Sequence, residues 1–332
     1  MALEIATLSR SNSAVDAAAS RPVATLDFIG EAGEWASLIA SAPFPQLPQS
    51  FAFGAGKAAK GWTVQRVAIT IDGHFVAIAT VLELRRLGIR LASRINRGPL
   101  LLETAPSDER VVAVYAALRQ HWGRLGRGLL LIAPALQHGE HSAALLRHAG
   151  FRLRQDNIGW RSGLIDLAND EAAIWASFSS TFRNRVRKAE KSGAALEIAA
   201  DAEAFEWMLA RHAENMRDKN FTAADATLLR ALRAAAPGDV TVFRMLSEGV
   251  PVAGMSVVRF GSRAEYHIGW FGPAGRKLNA GNFLMWHVIR EVRRRGALTF
   301  DVGGLRTGDG YTRFKRTMNP VEYRLAGEWM SF

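Results

Sequence analysis

Two tandem α/β (α+β) domains, each a mixed sheet flanked by helices, are predicted for this chain of 332 residues. Three observations carry that prediction. The same order of hairpin, helix, strand, helix, strand can be read twice. The length exceeds one average domain and suits two. A hydrophobic content of 48% lets each half bury its own core.

In the first half, Val64–Ile71 reads as a strand, Asp72-Gly73 as a tight turn and Phe75–Leu84 as the partner strand. In the second half, Val240–Leu246, Glu248-Gly249 and Val252–Arg259 repeat the unit. Each turn glycine is followed four positions later by alanine, Ala77 and Ala253. A helix over Asp108–Trp122 and a strand over Leu129–Ala133 come next, matched later by Asn282–Arg295 and Leu298–Val302. The copies finish with His141–Ala149 then Phe151–Arg154, and with Tyr311–Arg316 then Val321–Trp329. Gly150 and Gly296 stand where helix C-caps belong.

The boundaries expected are a loose tail over 1–22, a first domain over 23–165 and a second over 166–332. The second domain opens on a helical stretch over Asp170–Gly193 and an amphipathic helix over Glu203–Met216. Arg10 and Asp16 interrupt the first twenty residues, so no signal peptide is read there. No stretch reaches the roughly 18 uncharged apolar residues of a membrane span. A soluble, cytoplasmic protein is the expectation.

Cysteine is absent, which excludes disulfides, thiolate metal sites and a cysteine nucleophile. The net charge of +11 is spread along the chain: 18 basic against 12 acidic residues up to position 165, and 24 against 19 beyond it. Such a field favours RNA, nucleotide phosphates or anionic headgroups, although general arginine richness would give the same excess. No Gly-x-Ser-x-Gly elbow, P-loop or metal-ligand spacing occurs, so no metal and no bound cofactor are expected.

The densest basic run is Phe182 to Gly193, where Arg183, Arg187 and Lys191 share a helix face at i, i+4, i+8. It reads either as a phosphate or carboxylate clamp, which guanidinium forks suit, or as a solvated face. Asp301 ends an apolar strand and precedes Gly303-Gly304. A carboxylate there could hold an amine or accept hydrogen bonds from the following turn. Lys315, after Phe314, could stabilise an oxyanion. Its company with Asp301, Gly303-Gly304 and Tyr311 singles it out from an ordinary surface lysine.

These residues and their order resemble the FemABX family of tRNA-dependent aminoacyltransferases, which are built as two tandem GNAT-like N-acyltransferase domains. Gln49-Ser50 followed by Lys57, then Arg97-Gly98-Pro99, are similar to the family's first-domain segments. The basic helix from Arg183, then Asp301-Val302-Gly303-Gly304 and Phe314-Lys315, look like its second-domain segments. The likeness runs collinearly over roughly residues 45–330. It departs after Lys315, where Arg316-Thr317 replaces the family's common Phe-Gly pair, and it lacks the long coiled-coil arm of some members.

The resemblance implies transfer of an amino acid from aminoacyl-tRNA to an amine, often on a nucleotide-linked peptidoglycan-precursor peptide. It assigns Lys315, with Phe314 and Asp301, to catalysis. Arg183, Arg187, Lys57, Arg97, Tyr266, Gly303, Gly304 and Tyr311 are assigned to substrate binding. The alternative is an acyl-CoA-dependent N-acyltransferase of polysaccharide or natural-product biosynthesis. Its Arg/Gln-x-x-Gly-x-Gly/Ala phosphate loop is met here by Arg276-Lys277-Leu278-Asn279-Ala280-Gly281, with Asn279 in place of the first glycine. A non-catalytic RNA- or polyanion-binding module is the third reading.

Overall fold

The computed structural model describes residues 22–123, 128–306, 308 and 310–332. The tail expected over 1–22 lies, except for Pro22, outside the described residues. The chain forms two compact units, one reaching Trp160 and including Arg324–Phe332, the other spanning Arg161–Tyr323.

The first unit holds β1 (Ala24–Phe28), α1 (Ala32–Ser41), α2 (Phe51–Ala58), β2 (Thr63–Ile71), β3 (His74–Arg86) and β4 (Ile89–Asn96). It continues with β5 (Leu100–Leu101), α3 (Asp108–Trp122), β6 (Leu129–Ala133), α4 (Glu140–His148) and β7 (Arg152–Gln155). The second unit opens with β8 (Arg161–Asp166), α5 (Glu171–Ser177), α6 (Ser180–Glu190), β9 (Ala195–Ala199), α7 (Ala202–Asp218) and α8 (Ala226–Ala235). Then come β10 (Val240–Ser247), β11 (Val250–Phe260), β12 (Arg263–Phe271), α9 (Pro273–Lys277) and α10 (Ala280–Arg294). The chain ends with β13 (Thr299–Asp301), α11 (Gly310–Arg316), β14 (Val321–Arg324) and β15 (Glu328–Ser331).

The first sheet runs β1-β2-β3-β4-β6-β15-β7, with β5 paired to β3, and the second runs β9-β10-β11-β12-β13-β8-β14. Their orders correspond strand for strand, and each contains a parallel contact, β4 with β6 and β12 with β13. The repeat read from the sequence is therefore a repeat of topology. The sixth slot of each sheet is filled by a strand that the pattern did not place there. Val321–Trp329, expected as one strand, breaks at Leu325–Gly327, and β15 pairs with β6 and β7 of the first sheet. Gly327 makes the break possible: φ is +41°, and a Cβ there would lie 2.5 Å from the Gln155 carbonyl oxygen. The division between units accordingly falls at Trp160–Arg161, not at 165–166.

Side-chain caps set most helix starts. Ser50, Ser107, Asp170, Ser179, Asp201 and Asp225 each accept from a backbone N–H three residues on. Ser179 also splits the helix expected over Asp170–Gly193. It caps α6 while Phe178, in extended conformation, drops into the core and ends α5. In the first unit, α3 lays Val111, Val114, Tyr115, Leu118 and Trp122 on the sheet. In the second, α6 and α10 bury Phe182, Val186, Leu284, Val288 and Ile289 against Phe243, Met255 and Phe300. None of the described helices is long and apolar enough to cross a membrane.

Gln49 joins two sequence segments that lie far apart. It is completely buried, its Oε1 accepts from Thr80 N (2.7 Å) and its Nε2 donates to Asn96 O (2.7 Å). Its own carbonyl accepts from Trp35 Nε1 at 2.8 Å. Any Cβ on Gly98 would strike the Gln49 amide at 2.5 Å, so Gln49 and Arg97-Gly98-Pro99 form one packed feature. Gln49→Ala should leave a buried N–H and C=O unsatisfied and cost about 2–3 kcal/mol. The check is the urea midpoint of unfolding; an unchanged midpoint would show that these bonds do not hold the first unit together.

Candidate active site

The parallel strands β12 and β13 pair only over Arg263↔Thr299, Ala264↔Phe300 and Glu265↔Asp301. Beyond that point they part. β12 continues against β11 alone, with a register shift between Ser256 and Val257 that leaves His267 as an extra residue. The chain after Asp301 turns towards β8, where Val302 N donates to Gly163 O and Leu305 N to Arg161 O. A gap at the C-terminal end of parallel strands is where α/β sheets hold ligands.

Asp301, wholly buried, fixes the fork. Its Oδ1 accepts from Ser162 Oγ and from Gly303 N (2.8 Å), and its Oδ2 accepts from the Tyr323 hydroxyl (2.7 Å). These donors belong to the fold and to the following turn, so the carboxylate shapes the site from beneath. Gly303 has φ +73°, and a Cβ on it would come within 2.9 Å of Tyr266 O and 3.4 Å of Lys315 Nζ. Glycine is required there on both counts.

Lys315 is 3% exposed and is carried by α11 into the gap. Its Nζ donates to Gly304 O at 2.9 Å and lies 5.2 Å and 5.3 Å from the ring centroids of Tyr266 and Tyr311. A carbonyl and two π faces offset part of the cost of burying a cation. The two tyrosine hydroxyls hydrogen-bond to each other, and burial pushes the Tyr266 phenol well above its usual range, so it is protonated at neutral pH. The Tyr266 ring lies over its own strand: a Cβ on Gly269 would meet the phenol oxygen at 2.2 Å. Phe314 packs beside Tyr311, with centroids 6.1 Å apart.

Tyr311 and Phe314 also wall a cavity of about 270 Å³ at the N-terminus of α10. Arg185, Lys219 and Arg276 line it, with Asn279, Ala280, Gly281 and Asn282 of the helix start. The backbone amides and the positive end of a 15-residue helix dipole point to this end. Asn282 is 4% exposed, and its Nδ2 has no hydrogen-bond partner in the protein. An orphaned buried donor, three cations and a helix N-terminus thus line one cavity, a set of groups with the chemistry to hold an anion. Asn279 adopts the left-handed conformation (φ +58°) that a glycine would take, so the loop keeps its shape without the glycine.

The arginines of α6 divide differently from the face read in the sequence. Arg183 Nη1 donates to Ala176 O (2.8 Å) and to Phe178 O, closing the end of α5. Arg187 stacks over Trp175 at 5.5 Å and donates to Asn184 Oδ1 at 3.2 Å. Arg185, between them in sequence, is the one that lines the cavity. The cavity therefore meets a side of the helix that the i, i+4 pattern of Arg183 and Arg187 does not include. Lys57 and Arg97 belong to the first unit. Lys57 Nζ lies 5.4 Å from the Phe53 ring centroid, and Arg97 lies over Trp160 at 4.3 Å with φ +49°. Among the described residues no three His, Asp or Glu side chains gather as a metal site.

Residues 176–316 match the family model of the acetyltransferase (GNAT) domain. No curated protein sequence matches the chain significantly. FemX superposes with a TM-score of 0.78 at 17% identity, covering 92% of this chain and 96% of its own. The C-terminal domain of a putative lysylphosphatidylglycerol synthetase from Agrobacterium fabrum gives 0.53 at 12% identity, covering 90% of each chain. A tandem GNAT protein from the clavulanic acid biosynthesis pathway gives 0.50 at 11% identity, covering 93% of this chain and 98% of its own. The chain thus has a FemX-like tandem GNAT fold, and the match to the acetyltransferase (GNAT) domain model falls within its second unit.

Proposed function

We propose that this protein transfers an aminoacyl group from aminoacyl-tRNA to an amine, with the reaction at the β12–β13 fork. The observation that carries the reading is Lys315 Nζ, buried at the fork and held by Gly304 O, next to a cavity built for an anion. In this reading Ala280, Gly281, Asn282, Arg185 and Arg276 hold a phosphate of the donor's terminal nucleotide. The acylated end then reaches past Tyr311 to Lys315. The acceptor amine attacks the ester carbonyl, a C–N bond forms, and the oxyanion is stabilised by the Lys315 ammonium. Collapse breaks the C–O bond to the ribose, and the amine proton leaves with the ribose oxygen. No covalent enzyme intermediate is required, because the ester is already activated and the enzyme supplies orientation.

The FemX-like fold and the +11 charge favour a polyanionic donor such as tRNA. The resemblance in sequence further supports an acceptor of the nucleotide-linked, peptidoglycan-precursor kind. Acyl-CoA is the second reading, and a specific observation favours it. Asn279 preserves the loop conformation of a CoA-type phosphate site, so its departure from glycine does not count against that donor. Asp301 and Gly303 act as positioning residues in both readings.

Lys315→Ala should lower turnover by at least ~10²-fold with donor affinity nearly retained; wild-type turnover in that variant would remove Lys315 from the mechanism. Arg185→Ala should raise the KM for the donor and flatten its salt dependence while kcat changes little. By contrast, Arg183→Ala should lower thermal stability through the freed α5 carbonyls and leave both KM values near wild type. A selective rise in either KM for the Arg183 variant would return that residue to the binding site.

A further inference from the structure

Three of the two-residue turns, Asp72-Gly73, Leu87-Gly88 and Glu248-Gly249, share one geometry, with positive φ at both central residues. Such turns favour Asn, Asp or Gly at the first position, because a Cβ is strained there. Asp72 and Glu248 are polar and face water. Leu87 is apolar, sits at φ +49° and is 94% exposed, so it adds strain and buries nothing in the isolated chain. It caps the β3–β4 hairpin, whose end also exposes Leu84 (43%), Ile89 (66%) and Leu91 (50%). Four of the large exposed apolar side chains therefore lie within eight residues of sequence.

Cations surround this apolar tip. Arg85, 40% exposed, pairs with Glu83 at 2.7 Å, while Arg90 is mostly buried, pairing with the same carboxylate at 3.0 Å and donating to His121 O at 3.2 Å. Arg86 is exposed at the last rung of the hairpin, opposite Ile89. From Glu83 to Leu91 the hairpin end carries three arginines against one glutamate. An extended two-stranded tip with aliphatic side chains at its apex and guanidinium groups behind them has the chemistry of an interfacial anchor. The aliphatic groups enter the acyl boundary, and the arginines meet lipid phosphates.

We infer that the β3–β4 hairpin tip docks on the surface of an anionic phospholipid bilayer, with Leu87 and Ile89 inserted and Arg85 and Arg86 on the headgroups. The inference is independent of the reaction proposed above. The cationic excess argues for this partner over an apolar protein groove, which would have to desolvate the arginines without anions to meet them.

The test is sedimentation of the full chain with vesicles of phosphatidylglycerol and phosphatidylcholine, and with vesicles of phosphatidylcholine alone. The wild-type chain should partition onto the anionic vesicles, and added salt should weaken the binding. Leu87→Asn suits the turn, so it should melt no lower than wild type while losing about tenfold in partition. Arg86→Glu should lose binding to a similar degree without a change in melting. Unchanged partition of both variants overturns the proposal, as does equal binding to the uncharged vesicles or no binding at all. A wild-type dimer that Leu87→Asn makes monomeric, with no vesicle binding, overturns it in favour of a second copy of this chain.

Discussion

The parting of two parallel strands after the Glu265–Asp301 pair is the constraint on which the rest of the second unit depends. Continued pairing would close the gap in which Tyr266, Tyr311 and Lys315 meet. The separation is maintained by groups that cannot be exchanged freely. Asp301 draws Gly303, Ser162 and Tyr323 to its side, and the turn at Gly303 requires a residue without a Cβ. Gly269 lets the Tyr266 ring fold back along β12. A carboxylate and two glycines thus set the position of a lysine that none of them covalently adjoins.

That lysine is costly to bury. A cation removed from water loses hydration worth several kcal/mol, and Gly304 O and the tyrosine faces are among the groups that restore part of it. Retaining such a group at a fork beside a cavity lined by cations is what the proposed transfer requires. It is not what core stability alone would select. The cationic cavity at α10 follows the same logic with more exposed groups. There the helix dipole, the amides and three basic side chains converge on one small volume.

Much of this was legible in the sequence, for identifiable reasons. Asp72-Gly73 and Glu248-Gly249 between apolar runs could only be tight turns, and both adopt positive φ at each residue. Asp108–Trp122 and Leu129–Ala133 end where their periodicity ends. By contrast, β4 was invisible, because Arg90, Arg94 and three small or polar residues disguise its alternation. The departure of β15 to the first sheet depends on contacts between residues some 175 positions apart, such as Trp329 with Leu153, which no local pattern reports. The grouping of Asp301, Gly303-Gly304, Tyr311 and Lys315 could be read from their order. The side of α6 that meets the cavity could not, because Arg183 and Arg187 are engaged by α5 and Trp175 and only the packed helix decides that Arg185 lines the cavity.

Retention of radiolabelled aminoacyl-tRNA by the purified protein, challenged separately with excess acetyl-CoA and excess uncharged tRNA, tests the central claim most directly. The account predicts that label is held and resists both competitors. Label displaced by acetyl-CoA, or never held, would contradict the tRNA donor and give the α10 cavity to a CoA pyrophosphate. Displacement by uncharged tRNA alone would reduce the protein to an RNA-binding module.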